Sequence, residues 1–572
     1  MQISKLLINK YNILFFFSIL ILLSCKQNVD IAPIYNITKS AEGDSTMVVS
    51  AHPLATAAGL DILRQGGNAV DAAITVQFVL AVCYPGAGNI GGGGFMIYRQ
   101  ANGETATLDY REKAPAAATT DMYLDSLGNP MDEKSKMGHL AAGVPGTVDG
   151  MVQAFEKYST LRDWKKLIEP AITLAQNGFQ ITEREASNLN EEQSNFVKYN
   201  NNKTAFHKTN WKEGDILIQS ELAMTLELIR DQGRAGFYDG AVADLVVAEM
   251  KAGKGLITKD DLKNYRSVWR TPITFSYRGH QIISLPPPSS GGIALMQLLK
   301  MVEPYDIGSL SFQSAAVVHL MTEAERRVYA DRAHFLGDPD FNNIPISAIT
   351  DSVYIQNRMK DFNPRLASNS QEVSHGVVES EETTHFSIVD AMGNAVSMTT
   401  TLNGGYGAFT VVSGAGFILN NEMDDFSVKP GVANRYGLVG GEANKIEPSK
   451  RMLSSMTPTI IEKDGKLKMV VGTPGGSTII TSVFQTIVNV VDFRMSIDDA
   501  VQSPRFHHQW LPDEISVEED AIDIKERKIL ESIGHKFKVR GPIGRVDAIL
   551  IDTNNKLKGS ADKRGDDDAK GY

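Results

Sequence analysis

Two adjacent threonines begin a strand-like stretch in the second half of the chain. Thr383 and Thr384 follow two acids, Glu381 and Glu382, and precede His385. A hydroxyl is a poor nucleophile at neutral pH unless a base lies beside it. A threonine at the start of a chain has such a base, because its own α-amine, with a pKa of about 8, lies a few bonds from the hydroxyl. A cut before Thr383 would therefore give one residue both the nucleophile and the base.

The same hydroxyl can make that cut by attacking the carbonyl of Glu382, in an N-to-O acyl shift followed by hydrolysis. The polar stretch of residues 362–382, which we predict to be exposed, and the strand-like run after it suit such a reaction. Threonine-rich strands are also common as plain structural elements. The residues alone leave both interpretations open, and they do not separate Thr383 from Thr384.

The elements that position these threonines follow from the spacing of apolar residues. Residues 52–85 predict two helices separated at Gly66-Gly67, and residues 95–110 predict a hairpin that turns at Asn102-Gly103. Residues 140–265 are mostly helical in pattern, and two more helices extend to about residue 335. From Thr383 onward, short strand-like runs alternate with turns. Helices surround strands in both halves, which favours an α+β fold over βαβ repeats.

Length and composition indicate a globular protein. The chain has 572 residues, of which 42% are hydrophobic and 22% charged. A chain of this length predicts two or more compact units or one large one. The net charge is −11 with the acids scattered, which argues against a nucleic-acid partner because that role needs a basic face.

The first 24 residues predict a signal peptide. Two lysines precede an apolar run of 11 residues, which as a helix spans about 16 Å, short of the roughly 30 Å of a bilayer core. Cys25 follows in a context that resembles the bacterial lipobox, so we expect it to be acylated and residues 25–46 to form a flexible tether. An ordinary secretory signal that ends near a cysteine is the alternative. The expected location is outside the cytoplasm, in the periplasm or cell envelope, with the lipid as the only membrane contact.

Four other sequence features are not expected to take part in a reaction. Cys83 has no partner once Cys25 is acylated and is predicted to be a buried apolar side chain, so no cysteine-based metal site is possible. Residues 86–91 match a dinucleotide-binding glycine pattern, but they precede a strand rather than a helix, so we reject a nucleotide site there. We assign the segment GNIGGGG, residues 88–94, to close packing or a tight turn. His507 and His508 are predicted to be structural. Residues 566–568 are predicted to be a solvated acidic tail rather than a calcium site.

The segment TTHFSIVDAMGNAVSMTTTLNGGYG, residues 383–407, resembles the signature of the γ-glutamyltranspeptidases. Further segments of the chain resemble the same family in the same order, from about residue 50 to residue 572: GNIGGGGFM, LDYREKAPA, LPPPSSGG, NNEMDDF, SSMTPTI, GTPGGS and SPRFHHQW. These proteins are N-terminal-nucleophile hydrolases that cleave themselves into two subunits. The resemblance implies a four-layer αββα sandwich built jointly by a large subunit, residues 47–382, and a small catalytic subunit, residues 383–572.

The resemblance also implies roles in the reaction. Thr383 would be the nucleophile, exposed by cleavage after Glu382, and Thr401 would orient its amine and hydroxyl. Gly475 and Gly476 would supply backbone N–H groups to the oxyanion. The loop at residues 430–450 would be a lid that excludes water, with Tyr436 closing over the site.

A γ-glutamyl group carries a carboxylate and an ammonium that need opposite partners. By the resemblance, Arg111, Ser454 and Ser455 would hold the carboxylate. The ammonium would be held by three polar residues, Asn403, Glu422 and Asp425. Taken singly, Arg111 could instead form a surface ion pair with Glu112 or Asp109, and Asp424-Asp425 could be a turn or a helix start.

The resemblance implies a γ-glutamyltransferase and glutathione hydrolase. Its substrates would be glutathione and related γ-glutamyl compounds, its acceptors water, amino acids or peptides, and it would need no metal or organic cofactor. One alternative is an acylase on the same scaffold, acting on glutaryl or cephalosporin side chains that lack the ammonium. The other is an uncleaved surface binding protein.

Overall fold

A computed structural model describes residues 34–373, 382–429 and 441–572, and for Asp132 and Glu382 only the backbone. The strands are β1 Ser40–Gly43, β2 Met47–Ser50, β3 Gly93–Arg99, β4 Thr105–Asp109, β5 Phe179–Gln180, β6 Ile216–Leu217, β7 Val268–Arg270, β8 Ile273–Tyr277, β9 His280–Ser284, β10 Glu382–Val389, β11 Ala395–Asn403, β12 Thr459–Lys463, β13 Lys466–Gly472, β14 Phe506–His507, β15 Ile515–Val517, β16 Phe537–Val539, β17 Asp547–Ile551, β18 Leu557–Ala561 and β19 Asp568–Gly571.

The helices are α1 Pro53–Arg64, α2 Ala69–Cys83, α3 Asp132–Lys136, α4 Thr147–Tyr158, α5 Trp164–Asn177, α6 Glu183–Glu191, α7 Gln193–Tyr199, α8 Ser220–Gln232, α9 Ala235–Tyr238, α10 Gly240–Gly253, α11 Lys259–Asn264, α12 Gly291–Val302, α13 Ala315–Phe335, α14 Ile346–Ile349, α15 Ser352–Arg358, α16 Thr478–Val491, α17 Ile497–Gln502 and α18 Ile524–Ser532. In the part of the chain that the structure describes, no helix has both the length and the hydropathy that a membrane crossing requires.

Two seven-stranded antiparallel sheets form the centre of the fold. The first has the strand order β1-β18-β17-β13-β12-β9-β8, and the second has the order β19-β2-β10-β11-β3-β4-β7. Each sheet combines strands from before and after residue 383. Residues 37–572 form one large compact unit.

Three apolar clusters show that the layers are stacked helix, sheet, sheet, helix. One cluster lies between the sheets, because it combines Val49 and Phe95 of the second sheet with Ile460 and Val470 of the first. The second sheet packs its other face on α1, α2, α4 and α5. The first sheet packs its other face on α12, α13 and α16. The predicted four-layer αββα sandwich is confirmed.

The break between the first two helices has a local cause. Gly66 adopts a positive φ of 89°, which favours glycine, and ends α1. Asn68 then caps α2 by accepting hydrogen bonds from the backbone N–H groups of Val70 and Asp71, and the Asp71 side chain accepts one from the Asn68 N–H. The two helices predicted on either side of Gly66-Gly67 are confirmed.

The glycines of residues 88–94 allow close packing against β11. A Cβ atom at Gly92 would lie 2.0 Å from the carbonyl oxygen of Thr401, and one at Gly94 would lie 2.3 Å from that of Thr399. Only residues without a side chain fit there, as predicted. They lead into the β3–β4 hairpin, which turns at Asn102-Gly103 as expected.

The C-terminal segment forms an edge strand, so the predicted solvated tail is wrong. Strand β19 pairs with β2, from Asp568 opposite Ser50 to Gly571 opposite Met47. Asp567 and Asp568 are fully buried, and both have polar partners there. Arg545 lies 2.9 Å from the Asp567 carboxylate, and the Thr38 N–H donates to the Asp568 carboxylate. Acidic side chains are thus paired inside the sandwich.

The predicted tether is shorter at its C-terminal end than the sequence suggested. Strand β1 lies inside the range 25–46 and pairs with β18, from Ser40 opposite Ser560 to Gly43 opposite Leu557. Cys25 and the predicted signal peptide lie outside the described residues.

Candidate active site

A β-bulge places the proposed nucleophile at the start of β10. Glu382 pairs with Asn403 and Thr384 with Thr400, so both Thr401 and Leu402 lie opposite Thr383. Bulges re-aim side chains and are frequent beside active sites. Thr383 is 5% exposed and Thr401 is 1% exposed, so both hydroxyl residues are shielded from bulk water.

A hydrogen bond stabilises the C-terminal end of the partner strand, β11. The Asn403 N–H donates to Thr401 Oγ1 over 2.7 Å, and Asn403 adopts a φ of 76°. The Asn403 side-chain amide donates to the carbonyl oxygen of Asn421 at 3.0 Å. These bonds join the predicted orienting residue to the acidic segment of residues 422–425.

The predicted oxyanion glycines lie at the start of a 14-residue helix. Gly475 and Gly476 have φ values of 131° and 53°, which favour glycine, and α16 begins two residues later. The N-terminus of a helix favours a negative charge. The strand before them, β13, faces β10, because a Cβ on Gly472 would meet the His385 ring at 2.2 Å.

Arg111 is buried among acids rather than on the surface. Its guanidinium forms short ion pairs with the carboxylates of Glu422 and Asp425. Arg111 is 1% exposed, so the alternative of a surface ion pair with Glu112 or Asp109 is wrong. Residues 422–425 form one turn of 3₁₀ helix, so Asp424-Asp425 do lie in a turn, and the binding role of Glu422 and Asp425 stays a prediction.

The predicted carboxylate-binding serines follow directly on the segment that Arg111 contacts. Arg111 donates to the carbonyl oxygen of Leu453 at 3.1 Å. Ser454 Oγ accepts from the Met456 N–H, and Ser455 Oγ accepts from Arg332 at 3.0 Å. The structure therefore brings Arg111, Glu422 and Asp425 into one cluster and the two serines next to it.

Glu112 belongs to this cluster, and the sequence analysis missed it. Its carboxylate lies 3.8 Å from Arg111 and neither oxygen makes a hydrogen bond within the described structure. Burial raises the pKa of Glu112 to about 7 against the opposing charge of Arg111. Burial also raises the pKa of Glu422 well above its usual range, and Glu112 adds to that shift. Within the described residues, the three acids Glu112, Glu422 and Asp425 share the guanidinium of Arg111.

The structure does not describe the side chains of two residues of the predicted reaction site. Tyr436 lies outside the described residues, and Glu382 is described by its backbone alone. His507 and His508 are buried and have side-chain partners: His507 bonds to Thr481 and Gln509, and His508 lies 3.3 Å from Asp513. These contacts agree with a structural role.

Known proteins resemble the chain over most of its length. A family model described as gamma-glutamyltranspeptidase matches residues 55–572. The glutathione hydrolase proenzyme of Escherichia coli (strain K12) is 47% identical over 528 residues, which cover 91% of each chain.

Two solved structures also resemble this chain. The γ-glutamyltranspeptidase of Helicobacter pylori is 42% identical with a TM-score of 0.56, and the match covers 60% of this chain and 97% of that one. The cephalosporin acylase of Bacillus halodurans has a TM-score of 0.81 at 23% identity and covers 96% of this chain and 99% of that one, a likeness of fold alone.

Proposed function

The chain belongs to the γ-glutamyltranspeptidase family, and we propose that it is a self-cleaving enzyme that removes γ-glutamyl groups from glutathione and related γ-glutamyl compounds. The acceptor is water, an amino acid or a peptide. The name proenzyme that the Escherichia coli relative carries supports two subunits made from one precursor.

The buried cluster around Arg111 is the observation that carries this proposal. A γ-glutamyl group has a carboxylate and an ammonium on one carbon, so it can exchange partners with an internal ion pair. Its carboxylate takes the guanidinium of Arg111 and the hydroxyls of Ser454 and Ser455, while Glu422 and Asp425 take the ammonium. Asn403 adds a side-chain amide next to this segment. Acyl groups without an ammonium leave the acids unpaired, which disfavours the acylase alternative.

The reaction follows from a free N-terminus at residue 383. The α-amine of Thr383 accepts the proton of its own hydroxyl, and the hydroxyl oxygen attacks the γ-carbonyl carbon. The N–H groups of Gly475 and Gly476 donate to the oxyanion, and Thr401 orients the amine. Collapse breaks the amide bond as the Thr383 ammonium gives its proton to the leaving nitrogen, and the amine product departs. Water or an acceptor amine, deprotonated by the same α-amine, then attacks the γ-glutamyl ester, and the proton returns to the Thr383 oxygen.

The proposal is tested by cleavage and activity together. Purified wild-type protein should give two bands on a denaturing gel, with the smaller beginning at Thr383 by N-terminal sequencing. Thr383→Ala should stay uncleaved and lose about 10⁴-fold or more in kcat, because nucleophile and base are lost together. Thr384→Val is the matched control, since the Thr384 hydroxyl is buried and makes no hydrogen bond within the described structure.

Each contrary result has a distinct meaning. An intact and inactive wild-type chain would support a surface binding protein. An intact chain with full activity would remove the N-terminal mechanism. A cleaved chain that prefers glutaryl over γ-glutamyl anilides would point to the acylase.

We also propose that residues 1–24 direct export, that Cys25 is acylated, and that Tyr436 closes a lid over the site. The lipobox-like context of Cys25 supports the anchor. Wild-type cells should incorporate labelled palmitate into the protein, and Cys25→Ser cells should not. Equal labelling of both would overturn the anchor and leave the catalytic proposal unaffected.

A further inference from the structure

Three side chains of types that bind transition metals lie together outside the Arg111 cluster. His319 and Glu323 are four residues apart on α13, so they share one face of the helix. His535 follows α18 and completes the group. One ligand atom from each residue lies within 4.8 Å of the other two. All three are buried, with exposed fractions of 2%, 0% and 5%.

The hydrogen bonds of His319 orient a lone pair toward this group. His319 Nε2 lies 2.8 Å from the carbonyl oxygen of Asn363. A carbonyl only accepts, so Nε2 carries the proton and Nδ1 presents its lone pair. That Nδ1 lies 2.7 Å from His535 Nε2. Metal-binding histidines commonly donate their second N–H to a backbone carbonyl, which is the arrangement found here.

The Glu323 carboxylate can bind one more partner beyond the three hydrogen bonds that it accepts. Its Oε1 accepts from the Ser368 N–H and from Arg326 Nε, and its Oε2 accepts from Arg327 Nη1. A carboxylate offers about four lone-pair sites, and these contacts use three of them. The two arginines hold the carboxylate in place in the way that hydrogen-bonded neighbours hold metal ligands.

Each guanidinium beside Glu323 has a second carboxylate partner. Arg326 also pairs with Asp513, and Arg327 also pairs with Asp361, whose side chains are 32% and 74% exposed. These partners offset the charge of the two arginines at the edge of the group. Gly534 and Lys536, on either side of His535, are exposed, so solvent reaches the chain next to the buried ring.

We propose that His319, Glu323 and His535 form a binding site for a first-row transition-metal ion, with Zn²⁺ as the expected occupant. His319 binds through Nδ1, His535 through Nε2 and Glu323 through a carboxylate oxygen, and water takes the fourth tetrahedral position. On binding, the proton of His535 moves from Nε2 to Nδ1, so none is released. The two ring nitrogens separate from 2.7 Å to about 3.3 Å, as tetrahedral Zn–N bonds of about 2.0–2.1 Å require.

The position of the site gives the metal a structural role. His319 and Glu323 precede Thr383 in the chain, and His535 follows it. If the chain is cut as in the proposed function, the metal joins the two subunits. This role rests on that proposal, whereas metal binding itself does not.

The experiment uses the full protein, treated with a chelator, dialysed and titrated with ZnCl₂ or CoCl₂ alone. We expect one Zn²⁺ per chain by calorimetry and a thermal midpoint raised by a few degrees. Cobalt should give the visible absorption of a four-coordinate nitrogen-ligated ion. Thr383→Ala protein should bind the same single ion, so failed cleavage and failed metal binding are distinguishable.

Matched variants test the ligands. His319→Gln and His535→Gln keep a hydrogen-bonding amide but remove the imidazole, and each should weaken Zn²⁺ binding by at least 10-fold. His280→Gln, which changes a histidine on β9 outside the group, should bind as wild type. Equal affinity in all four proteins overturns the proposal. The proposal is also overturned if the wild-type protein binds no stoichiometric metal, or if bound cobalt gives only the spectrum of a six-coordinate ion. Both measurements use wild-type protein, so they do not depend on the folding of a variant.

Discussion

Two buried clusters of charge differ in how many arginines face their acids. In the cluster around Arg111, one guanidinium meets Glu112, Glu422 and Asp425. In the cluster around Glu323, two guanidiniums meet three carboxylates. The pKa of Glu112 is raised to about 7, whereas that of Glu323 is lowered to about 2. Burial raises the pKa of both acids, and only at Glu323 do the charge of Arg326 and the contacts of Ser368 and Arg327 outweigh it.

The difference indicates which ligand each cluster suits. Protonated or under-compensated carboxyls can accept an organic ammonium, which brings both charge and N–H donors. A carboxylate next to two imidazoles is a donor set for a metal ion. The acids also differ in exposure, because the side chains of Glu112 and Glu422 are buried whereas those of Asp513 and Asp361 are 32% and 74% exposed.

The largest expected effect comes from removing Arg111, the cation that the described residues place in the first cluster. Arg111→Ala should lower kcat/KM for a γ-glutamyl anilide by about 100- to 10,000-fold, mainly through KM, because two charge-assisted hydrogen bonds of about 1.5–3 kcal/mol each are lost. Cleavage before Thr383 should continue, as judged on a denaturing gel. The stoichiometry of Zn²⁺ should stay at one, since the second cluster is untouched.

Arg111→Lys sharpens the same comparison, because it keeps the charge and loses the planar fork that contacts two carboxylates. Its kcat/KM should fall between those of wild type and Arg111→Ala. An unchanged KM in both variants would remove Arg111 from the substrate site.

A smaller effect is expected from the proton on Glu112. The folded carboxyl titrates near 7 and the unfolded one near 4.5, so the folded chain binds more protons between these values. The free energy of unfolding should therefore fall as pH rises from about 4.5 to about 7, by up to about 3 kcal/mol. Glu112→Gln should flatten this part of the profile in urea unfolding of uncleaved Thr383→Ala protein.

The control for that measurement is an exposed acid. Asp244→Asn removes a carboxyl whose side chain is 63% exposed, and it should leave the pH profile as it was. If the free energy of unfolding of the Glu112→Gln variant changes with pH as steeply as that of the Thr383→Ala parent, Glu112 is ionised in the folded chain across this range.

Local signals in the sequence predicted local structure well. Gly66-Gly67 with Asn68 separates α1 from α2, and Asn102-Gly103 turns the β3–β4 hairpin, because each depends on residues within one turn. The α+β layering also followed from the order of helical and strand-like patterns. The resemblance named Arg111, Glu422 and Asp425, which the structure places in one cluster.

Features that depend on distant partners could not be predicted from the sequence. Strand β1 pairs with residues about 520 positions away, and four residues carry too little pattern to identify such an edge strand. Glu112 looks like any surface acid until Arg111 and Glu422 are folded around it. His319 and His535 are 216 positions apart, and no local spacing links them.

The edge strand β19 constrains the order in which the molecule can be made. Strand β2 lies between β10, which carries Thr383, and β19, which the ribosome synthesises after every other strand of that sheet. Until residues 568–571 emerge, one side of β2 offers unpaired backbone groups of the kind that promote aggregation. A chain that lacks residues 568–571 would keep that side of β2 open, so the strand of this sheet that is synthesised last is the one that covers it.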